Sequence, residues 1–247
     1  MKVNPVWIYG TDSNDVVSGT IDDDTIFGMM GGDILKGLGG NDTIDGGSGI
    51  DTVYFNGPRA EYTFERTATG VTVHGFDKIA TDNADGTVAI TLVPTTSVCT
   101  NVERLAFQDV LYATDTNVGG HVWQVGVLFT CAGITIPDMK TGAQWLMAAD
   151  RLDNMGALAQ EIINTYARGA TNQQVVSFLY SKLTHGAVAP SFVVDQYAAL
   201  IGPGKMFPTQ GDLYAAAANL PTFTEAGTVL GLVGSVQQLN TADMGIL

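Results

Sequence analysis

Residues 37–54 consist of two consecutive nonapeptides, Gly37-Leu38-Gly39-Gly40-Asn41-Asp42-Thr43-Ile44-Asp45 and Gly46-Gly47-Ser48-Gly49-Ile50-Asp51-Thr52-Val53-Tyr54. In both copies an aspartate follows the first glycine by five positions, and an aliphatic residue follows that aspartate by two. The same spacing extends upstream to residue 10, and five aligned copies of this length indicate a solenoid. The first-position glycines are Gly10, Gly19, Gly28, Gly37 and Gly46, the aspartates are Asp15, Asp24, Asp33, Asp42 and Asp51, and the aliphatic residues are Val17, Ile26, Leu35, Ile44 and Val53.

This spacing predicts a tight turn followed by a short strand in every nonapeptide. Glycine-rich residues turn sharply, and the residues after them form a strand whose aliphatic side chain points inward. When two nonapeptides complete one coil, alternate turns stack, so Asp15, Asp33 and Asp51 lie along one edge and Asp24 and Asp42 along the other. Because carboxylate and carbonyl oxygens are the ligands that Ca²⁺ prefers, the aspartates and the first-position glycines are candidate calcium ligands. Further candidates at the fourth position of the repeats are Asp22, Gly31, Gly40 and Gly49.

The nonapeptides resemble the GGxGxDxUx repeat of RTX (repeats-in-toxin, hemolysin-type calcium-binding) proteins. This resemblance implies a parallel β-roll over residues 1–56, with Ca²⁺ bound between successive turns on each edge. Five repeats then imply about three Ca²⁺ ions. The first two copies carry Ser13 and Asp22 where the later ones have glycine, so we expect their sites to be weaker or differently built.

Two other interpretations of the repeats compete with calcium binding. A flexible linker would not need an aliphatic residue at a fixed phase. A solenoid without metal would leave the aligned aspartates without a counter-ion, since residues 10–54 hold nine aspartates and Lys36 as the only cation.

The whole chain is acidic, with 25 Asp and Glu against 11 Lys and Arg in 247 residues, a net charge of −14 and a pI near 4.2. This balance argues against binding to nucleic acid or to an anionic membrane, which both require a basic face. A hydrophobic content of 45% is enough to bury a core.

Residues 57–117 are predicted to form a β-rich cap over the end of the roll. Strands are expected at 61–66, 71–76, 87–92 and 102–107, and residues 93–99 are interpreted as an insertion. Phe55-Asn56-Gly57-Pro58-Arg59-Ala60-Glu61-Tyr62 and Asn101-Val102-Glu103-Arg104-Leu105-Ala106-Phe107 resemble the "FxGxRxxY" and "VERLxF" segments that follow RTX repeats in secreted bacterial proteins. Asp82 and Asp85 predict an Asx turn, with an ion site as the alternative.

Residues 118–247 show helical spacing, which makes the predicted fold α+β in separate domains. Helices are expected at 121–131, 139–151, 156–167, 172–183, 190–200, 211–218 and 225–239. Val122, Gly133 and Pro137 recur as Val175, Gly186 and Pro190, each set followed by a helix with Trp145 or Tyr197. This half resembles a helical domain of unknown function that follows RTX repeats in surface-layer-like proteins.

No catalytic motif is present in the sequence, so we expect no enzymatic activity. His74, His121 and His185 are interpreted as surface or capping residues. The aromatic residues Trp123, Trp145, Phe178, Tyr180 and Tyr197 lie at helical spacing and are predicted to be core.

The sequence shows no cleavable N-terminal signal and no apolar run long enough to span a membrane. The RTX resemblance implies type I secretion and an extracellular or cell-surface location. Cys99 and Cys131 are interpreted as two buried thiols, with a disulfide left open. The predicted function is a Ca²⁺-dependent structural protein that self-assembles as a homo-oligomer, layer, filament or matrix. The alternative is a calcium-dependent adhesin with a cell-surface or glycan partner.

Overall fold

A computed structural model describes residues 6–83, 86–115, 119–136, 139–220, 223 and 237–239. The chain divides into two compact units, which we call the β unit (described residues 6–115 with 237–239) and the helical unit (described residues 119–223). The predicted separation of an N-terminal sheet region from a helical region is therefore confirmed.

The repeats form six short strands that alternate between two sheets. The strands are β1 (Val6–Tyr9), β2 (Val16–Ser18), β3 (Asp24–Phe27), β4 (Ile34–Lys36), β5 (Gly40–Asp45) and β6 (Thr52–Tyr54). Strands β1, β3 and β5 pair in parallel in the first sheet, and β2, β4 and β6 do so in the second. Ile26 faces Ile44, and Leu35 faces Val53, so each residue pairs with the one 18 positions later and one coil holds two nonapeptides.

The aliphatic column of the repeats forms the core of this coil. Ile26, Leu35, Ile44 and Val53 are fully buried, and Val17 is 9% exposed. The inward position two residues after each aspartate therefore excludes water along the whole repeat segment.

The cap extends both sheets and adds one 3₁₀ helix, Arg59–Glu61. Its strands are β7 (Thr63–Arg66), β8 (Gly70–Asp82), β9 (Val88–Thr100), β10 (Arg104–Ala106) and β11 (Leu111–Ala113), and Gln237–Leu239 forms β12. The first sheet has the order β1-β3-β5-β9-β8-β7, and the second has the order β12-β11-β10-β6-β4-β2.

Residues 93–99, which were interpreted as an insertion, lie in β9, whose residues Thr95 to Thr100 pair in parallel with β5 and antiparallel with β8. Thr95, Ser97 and Cys99 alternate inward and are buried, which a strand of period two explains. The predicted strands at 71–76 and 87–92 are correspondingly too short, and β11 was not predicted.

Residues 55–62 and residues 101–107, the two segments that resemble RTX motifs, pack on each other through aromatic rings. Phe55 stacks on Phe107 with ring centroids 5.2 Å apart, and Tyr62 lies 5.2 Å from both rings. The Arg59 guanidinium lies 4.3 Å from the centroid of the Phe64 ring and donates a hydrogen bond to the Tyr62 carbonyl oxygen. Aromatic residues of the two motifs that resemble RTX segments thus form one buried cluster at the end of the coil.

The helical unit contains α1 (His121–Ala132), α2 (Met139–Leu152), α3 (Met155–Tyr166), α4 (Asn172–Leu183), α5 (Ser191–Ala198) and α6 (Gln210–Ala218) among its described residues. Thr171 with Gln174 and Thr209 with Asp212 form capping boxes at the starts of α4 and α6. Of the helix predicted at 225–239, residues 225–236 lie outside the described residues. Residues 237–239 form a strand, so the prediction is wrong there.

The aromatic residues of the helical unit divide between core and surface. Trp123 and Trp145 are buried as predicted, whereas Phe178 and Tyr197 are 42% and 44% exposed, so their assignment to the core is wrong. His121 is also buried, and its ring nitrogens lie 2.8 Å from Asp150 Oδ1 and 3.2 Å from Asp153 Oδ1.

Cys99 and Cys131 are free and buried, and burial raises the pKa of each thiol to about 12. Among the described helices, none is both long and apolar enough to cross a membrane.

Candidate metal centre

The aspartates of the repeat occupy two buried columns. Asp33 and Asp51 are 1% and 0% exposed on one edge, and Asp24 and Asp42 are 2% and 1% exposed on the other. Asp15, in the first repeat, is half-buried. Carboxylates in such positions lose their hydration and need either hydrogen bonds or a cation.

Backbone hydrogen bonds hold one oxygen of each carboxylate. The Asp15 N–H donates to Asp33 Oδ1 at 2.8 Å, and the Asp33 N–H donates to Asp51 Oδ1 at 2.8 Å. On the other edge the Asp24 N–H donates to Asp42 Oδ1 at 3.1 Å. Asp33, Asp42 and Asp51 are therefore oriented by the coil that precedes each of them.

The second oxygen of the later aspartates has no hydrogen-bond partner. Asp33 Oδ2, Asp42 Oδ2 and Asp51 Oδ2 are all buried and unpaired. An unpaired buried charge is strongly unfavourable, so these oxygens indicate a cation-binding site rather than a stabilising contact.

The first-position glycines leave space beside these oxygens, because they carry no side chain. A Cβ atom on Gly28 would overlap both Asp33 Oδ2 and the carbonyl oxygen of Gly46 in the next coil. On the other edge, a Cβ atom on Gly37 would overlap the unpaired Asp42 Oδ2. A carboxylate oxygen and a carbonyl oxygen thus converge where glycine leaves space, which fits the hard oxygen ligands of Ca²⁺.

The remaining predicted ligands are brought to the same turns. A Cβ atom on Gly10 would overlap the Gly28 carbonyl oxygen, and Gly40 approaches the Asp22 carbonyl oxygen in the preceding coil. Gly31, Gly40 and Gly49 all have positive φ, from 87° to 134°, which favours glycine at the fourth position. Asp22 therefore takes part in the contact between these coils through its backbone carbonyl oxygen.

The first two turns are built differently from the later three. The Thr11 N–H and hydroxyl donate to Asp15 Oδ2 at 2.6 and 2.8 Å, and the Thr20 N–H and hydroxyl donate to Asp24 Oδ2 at 2.5 and 3.0 Å. In the later turns the second position is left-handed, with φ of 83° at Met29. The threonines therefore compete with a cation for Asp15 and Asp24.

We call the column of Asp15, Asp33 and Asp51 the odd column. Glu103 extends this column, although the sequence analysis did not identify it as a candidate ligand. The Asp51 N–H donates to Glu103 Oε2 at 2.9 Å, as the Asp33 N–H does to Asp51. The detectable signal was Glu103-Arg104-Leu105, which repeats the acid–x–aliphatic spacing of Asp51 and Val53.

Burial raises the pKa of three carboxyl groups in these columns. Desolvation is the main cause, and it raises the pKa of Asp42 to about 7, that of Asp51 to about 6 and that of Glu103 to about 7. The neighbouring carboxylate of the same column adds repulsion in each case, Asp24 for Asp42 and Asp33 for Asp51. A divalent cation would remove both penalties by favouring the charged forms.

Comparison with known proteins agrees with this chemistry over the repeat segment. Residues 7–35 and 18–53 match the family model of the RTX calcium-binding nonapeptide repeat. No curated protein sequence matches the chain.

Among solved structures, the extracellular lipase LipA from Serratia marcescens aligns with 20% identity and a TM-score of 0.35. The alignment covers 45% of this chain and only 17% of the lipase, and at this score the likeness carries no argument about activity. The family match and the converging oxygens together support RTX-type calcium-binding repeats within residues 7–53.

Proposed function

We propose that this chain is a secreted RTX protein whose repeats fold around Ca²⁺ as a parallel β-roll. We further propose a non-enzymatic structural role at the cell surface, through assembly with copies of itself. The observation that carries the calcium part is the set of unpaired, buried oxygens on Asp33, Asp42 and Asp51. RTX repeats are typical of secreted proteins, which supports the proposed location.

Calcium-dependent folding follows from the charge of the repeats. Residues 10–54 carry nine aspartates and one lysine, so the segment repels itself when no cation is bound. At low calcium the repeats would stay unfolded, and at the millimolar calcium outside cells binding and folding become one event.

A circular-dichroism titration of the full chain tests this step. We expect the β signal to be small in EDTA and to rise with Ca²⁺. A β signal that is complete in EDTA and unchanged by Ca²⁺ would show that the repeats need no metal.

The first coil supports the proposal of self-assembly. Within the described residues, β1 and β2 are the terminal strands of the two sheets. Trp7, Tyr9 and Val16 on these strands are 62%, 58% and 70% exposed. Exposed apolar residues on terminal strands favour pairing with another chain.

Electron microscopy and sedimentation of the protein with and without Ca²⁺ test assembly. We expect ordered polymers with Ca²⁺ and their loss in Val16→Lys, because charge on a terminal strand opposes pairing. The matched control is Val188→Lys in the helical unit, where Val188 is 91% exposed. Monodisperse wild-type particles under all conditions would exclude assembly.

The aromatic face of the first coil also favours a second candidate, a calcium-dependent adhesin. Tyr9 stacks on Phe27 at 5.1 Å with an interplanar angle of 8°, and Trp7 lies 6.0 Å from the same ring. Exposed rings of this kind can pack on apolar faces of a sugar. Binding to immobilised glycans that requires Ca²⁺ and is lost in Trp7→Ala would favour adhesion over assembly.

A further inference from the structure

The odd column of aspartates continues beyond the five repeats into the cap. Arg104 pairs with Thr52, and Leu105 pairs with Val53, so Glu103 takes the place beside Asp51 that Asp51 takes beside Asp33. The hydrogen bond from the Asp51 N–H to Glu103 Oε2 reproduces the bond that orients each earlier aspartate.

Asn101 takes the place of a first-position glycine in this additional turn. The Gly46 N–H donates to the Thr100 carbonyl oxygen at 3.0 Å, as the Gly28 N–H donates to the Asp45 carbonyl oxygen at 2.8 Å. Asn101 therefore follows β9 as Gly46 follows β5, and its φ of 50° is left-handed. The turn from Asn101 to Glu103 is shorter than that from Gly46 to Asp51, and the longer glutamate side chain compensates for this.

Two oxygens converge between this turn and the fifth repeat, and the Glu103 carboxylate is bound to the same turn. A Cβ atom on Gly46 would overlap the Asn101 carbonyl oxygen and would lie 2.7 Å from Asp51 Oδ2. Asp51 is fully buried, and this oxygen has no hydrogen-bond partner. The Glu103 carboxylate is held against the same turn by its bond to the Asp51 N–H.

The charges around these oxygens leave a negative excess. The Arg104 guanidinium donates to Asp115 Oδ1 at 2.6 Å in a buried ion pair, so one acidic group already neutralises this cation. The Asp45 carboxylate accepts a hydrogen bond from Asn101 Nδ2 at 2.8 Å. It lies near Asp51 and adds to the negative charge of Asp51 and Glu103. A divalent cation is the ligand that fits two carboxylates and a carbonyl oxygen.

We propose that Asp51, Glu103 and the Asn101 carbonyl oxygen form an additional calcium site that joins the last repeat to the cap. The inference rests on the proposed calcium function of the repeats and adds a site whose ligands come partly from outside them. Its consequence is that Ca²⁺ links the folding of the cap directly to that of the repeats.

Native mass spectrometry of the full chain at about 1 mM free Ca²⁺ tests the site. We expect Glu103→Gln to bind one ion fewer than the wild type, because the amide keeps an acceptor for the Asp51 N–H but loses the charge. The matched control is Glu65→Gln on β7, an exposed glutamate whose loss should leave the ion count unchanged. An equal ion count in Glu103→Gln and the wild type overturns the additional site, whereas a wild type that binds no ion overturns the proposed function itself.

A second measurement uses the wild type and does not depend on the folding of a variant. Crystals grown with Tb³⁺ in place of Ca²⁺ should show an anomalous peak bound by both Asp51 and Glu103. Peaks confined to the turns within residues 10–54 would overturn the additional site and leave the calcium function of the repeats intact.

Discussion

Asp33 shows how a single side chain connects adjacent coils of the repeat. Its Oδ1 accepts a hydrogen bond from the Asp15 N–H in the preceding coil, and its unpaired Oδ2 lies against Gly28 with the Gly46 carbonyl oxygen of the following coil. One carboxylate therefore contacts the preceding turn and its own turn, and it lies near the point where the next turn presents a carbonyl oxygen. The stacking of coils and the binding of a cation depend on the same atoms.

Gly28→Ala should damage this arrangement, because the added methyl group would overlap both Asp33 Oδ2 and the Gly46 carbonyl oxygen. We expect calcium affinity at this turn to fall by about tenfold or more and the calcium-loaded protein to lose about 2 kcal/mol of stability. Calorimetric titration and thermal unfolding in Ca²⁺ measure both. The control is Gly142→Ala in α2, where the nearest atom would be Ile136 Cγ2 at 3.5 Å. Equal effects of the two substitutions would contradict the assigned role of Gly28.

The raised pKa values of Asp42, Asp51 and Glu103 predict how the stability of the β unit depends on pH. Without Ca²⁺, the folded state binds protons that the unfolded chain releases, so its stability is highest below the ordinary pKa values of 3.8 for aspartate and 4.5 for glutamate. Stability is then lost as the pH rises through values of about 6 and 7. With saturating Ca²⁺ the trend reverses, since the metal requires the deprotonated carboxylates. The circular-dichroism β signal at about pH 5 and about pH 8, with and without Ca²⁺, measures this. A calcium-free stability that rises over this range would contradict it.

At the scale of elements, β9 joins the repeats to the cap. It pairs in parallel with β5 through Thr95 to Thr100 and antiparallel with β8 along its whole length. The 3₁₀ helix is tied to the same sheet, because the hydroxyl of the adjoining Tyr62 donates to Asp77 Oδ1 on β8 at 2.6 Å. Asp77 is 2% exposed, so this bond satisfies a buried carboxyl group.

Tyr62→Phe should therefore destabilise the β unit by about 1–3 kcal/mol, since it leaves the buried Asp77 carboxyl group with one partner fewer. Chemical unfolding in saturating Ca²⁺ measures the change. The matched control is Tyr112→Phe, because the Tyr112 ring packs on Phe64 and Phe107 in the same cluster. A loss of stability in the control as large as that in Tyr62→Phe would refute the role of the Asp77 bond.

At the scale of the whole molecule, the described residues form two separate hydrophobic cores. One core contains the aliphatic column of the repeats with Phe55 and Phe107, and the other contains Trp123 and Trp145 with the apolar faces of the helices. The candidate calcium ligands belong to the unit with the first core. Ca²⁺ should accordingly stabilise the β unit much more than the helical unit.

Hydrogen exchange followed by mass spectrometry can resolve the two units. We expect Ca²⁺ to slow exchange by about tenfold or more in peptides from residues 24–54 and 95–113, and to change exchange in residues 155–183 by less than about twofold. Mg²⁺ at the same concentration is the control ion, because its smaller octahedral shell suits these oxygens poorly. Equal slowing in both units would mean that they unfold as one.

The nine-residue period was sufficient to predict the short strands, the buried aliphatic column and the two edges of aspartates. All of these depend on contacts between residues 18 positions apart, and the repeat itself specifies those contacts. The first two turns were expected to differ because they lack the fourth-position glycine, and the structure shows a difference at their second-position threonines. Local pattern is informative wherever the partner of a residue is another copy of the same pattern.

Contacts between segments of unlike sequence could not be predicted from the nine-residue period. Glu103 meets Asp51 across 52 residues, and residues 93–99 become part of the first sheet because β5 and β8 lie on either side of them. Likewise the helical spacing of Phe178 matches that of Trp145, but only packing buries the tryptophan and leaves the phenylalanine exposed. Repetition in the sequence thus specifies the coil and its candidate calcium ligands, whereas the closure of the coil by the cap depends on long-range pairing that has no repeating signal.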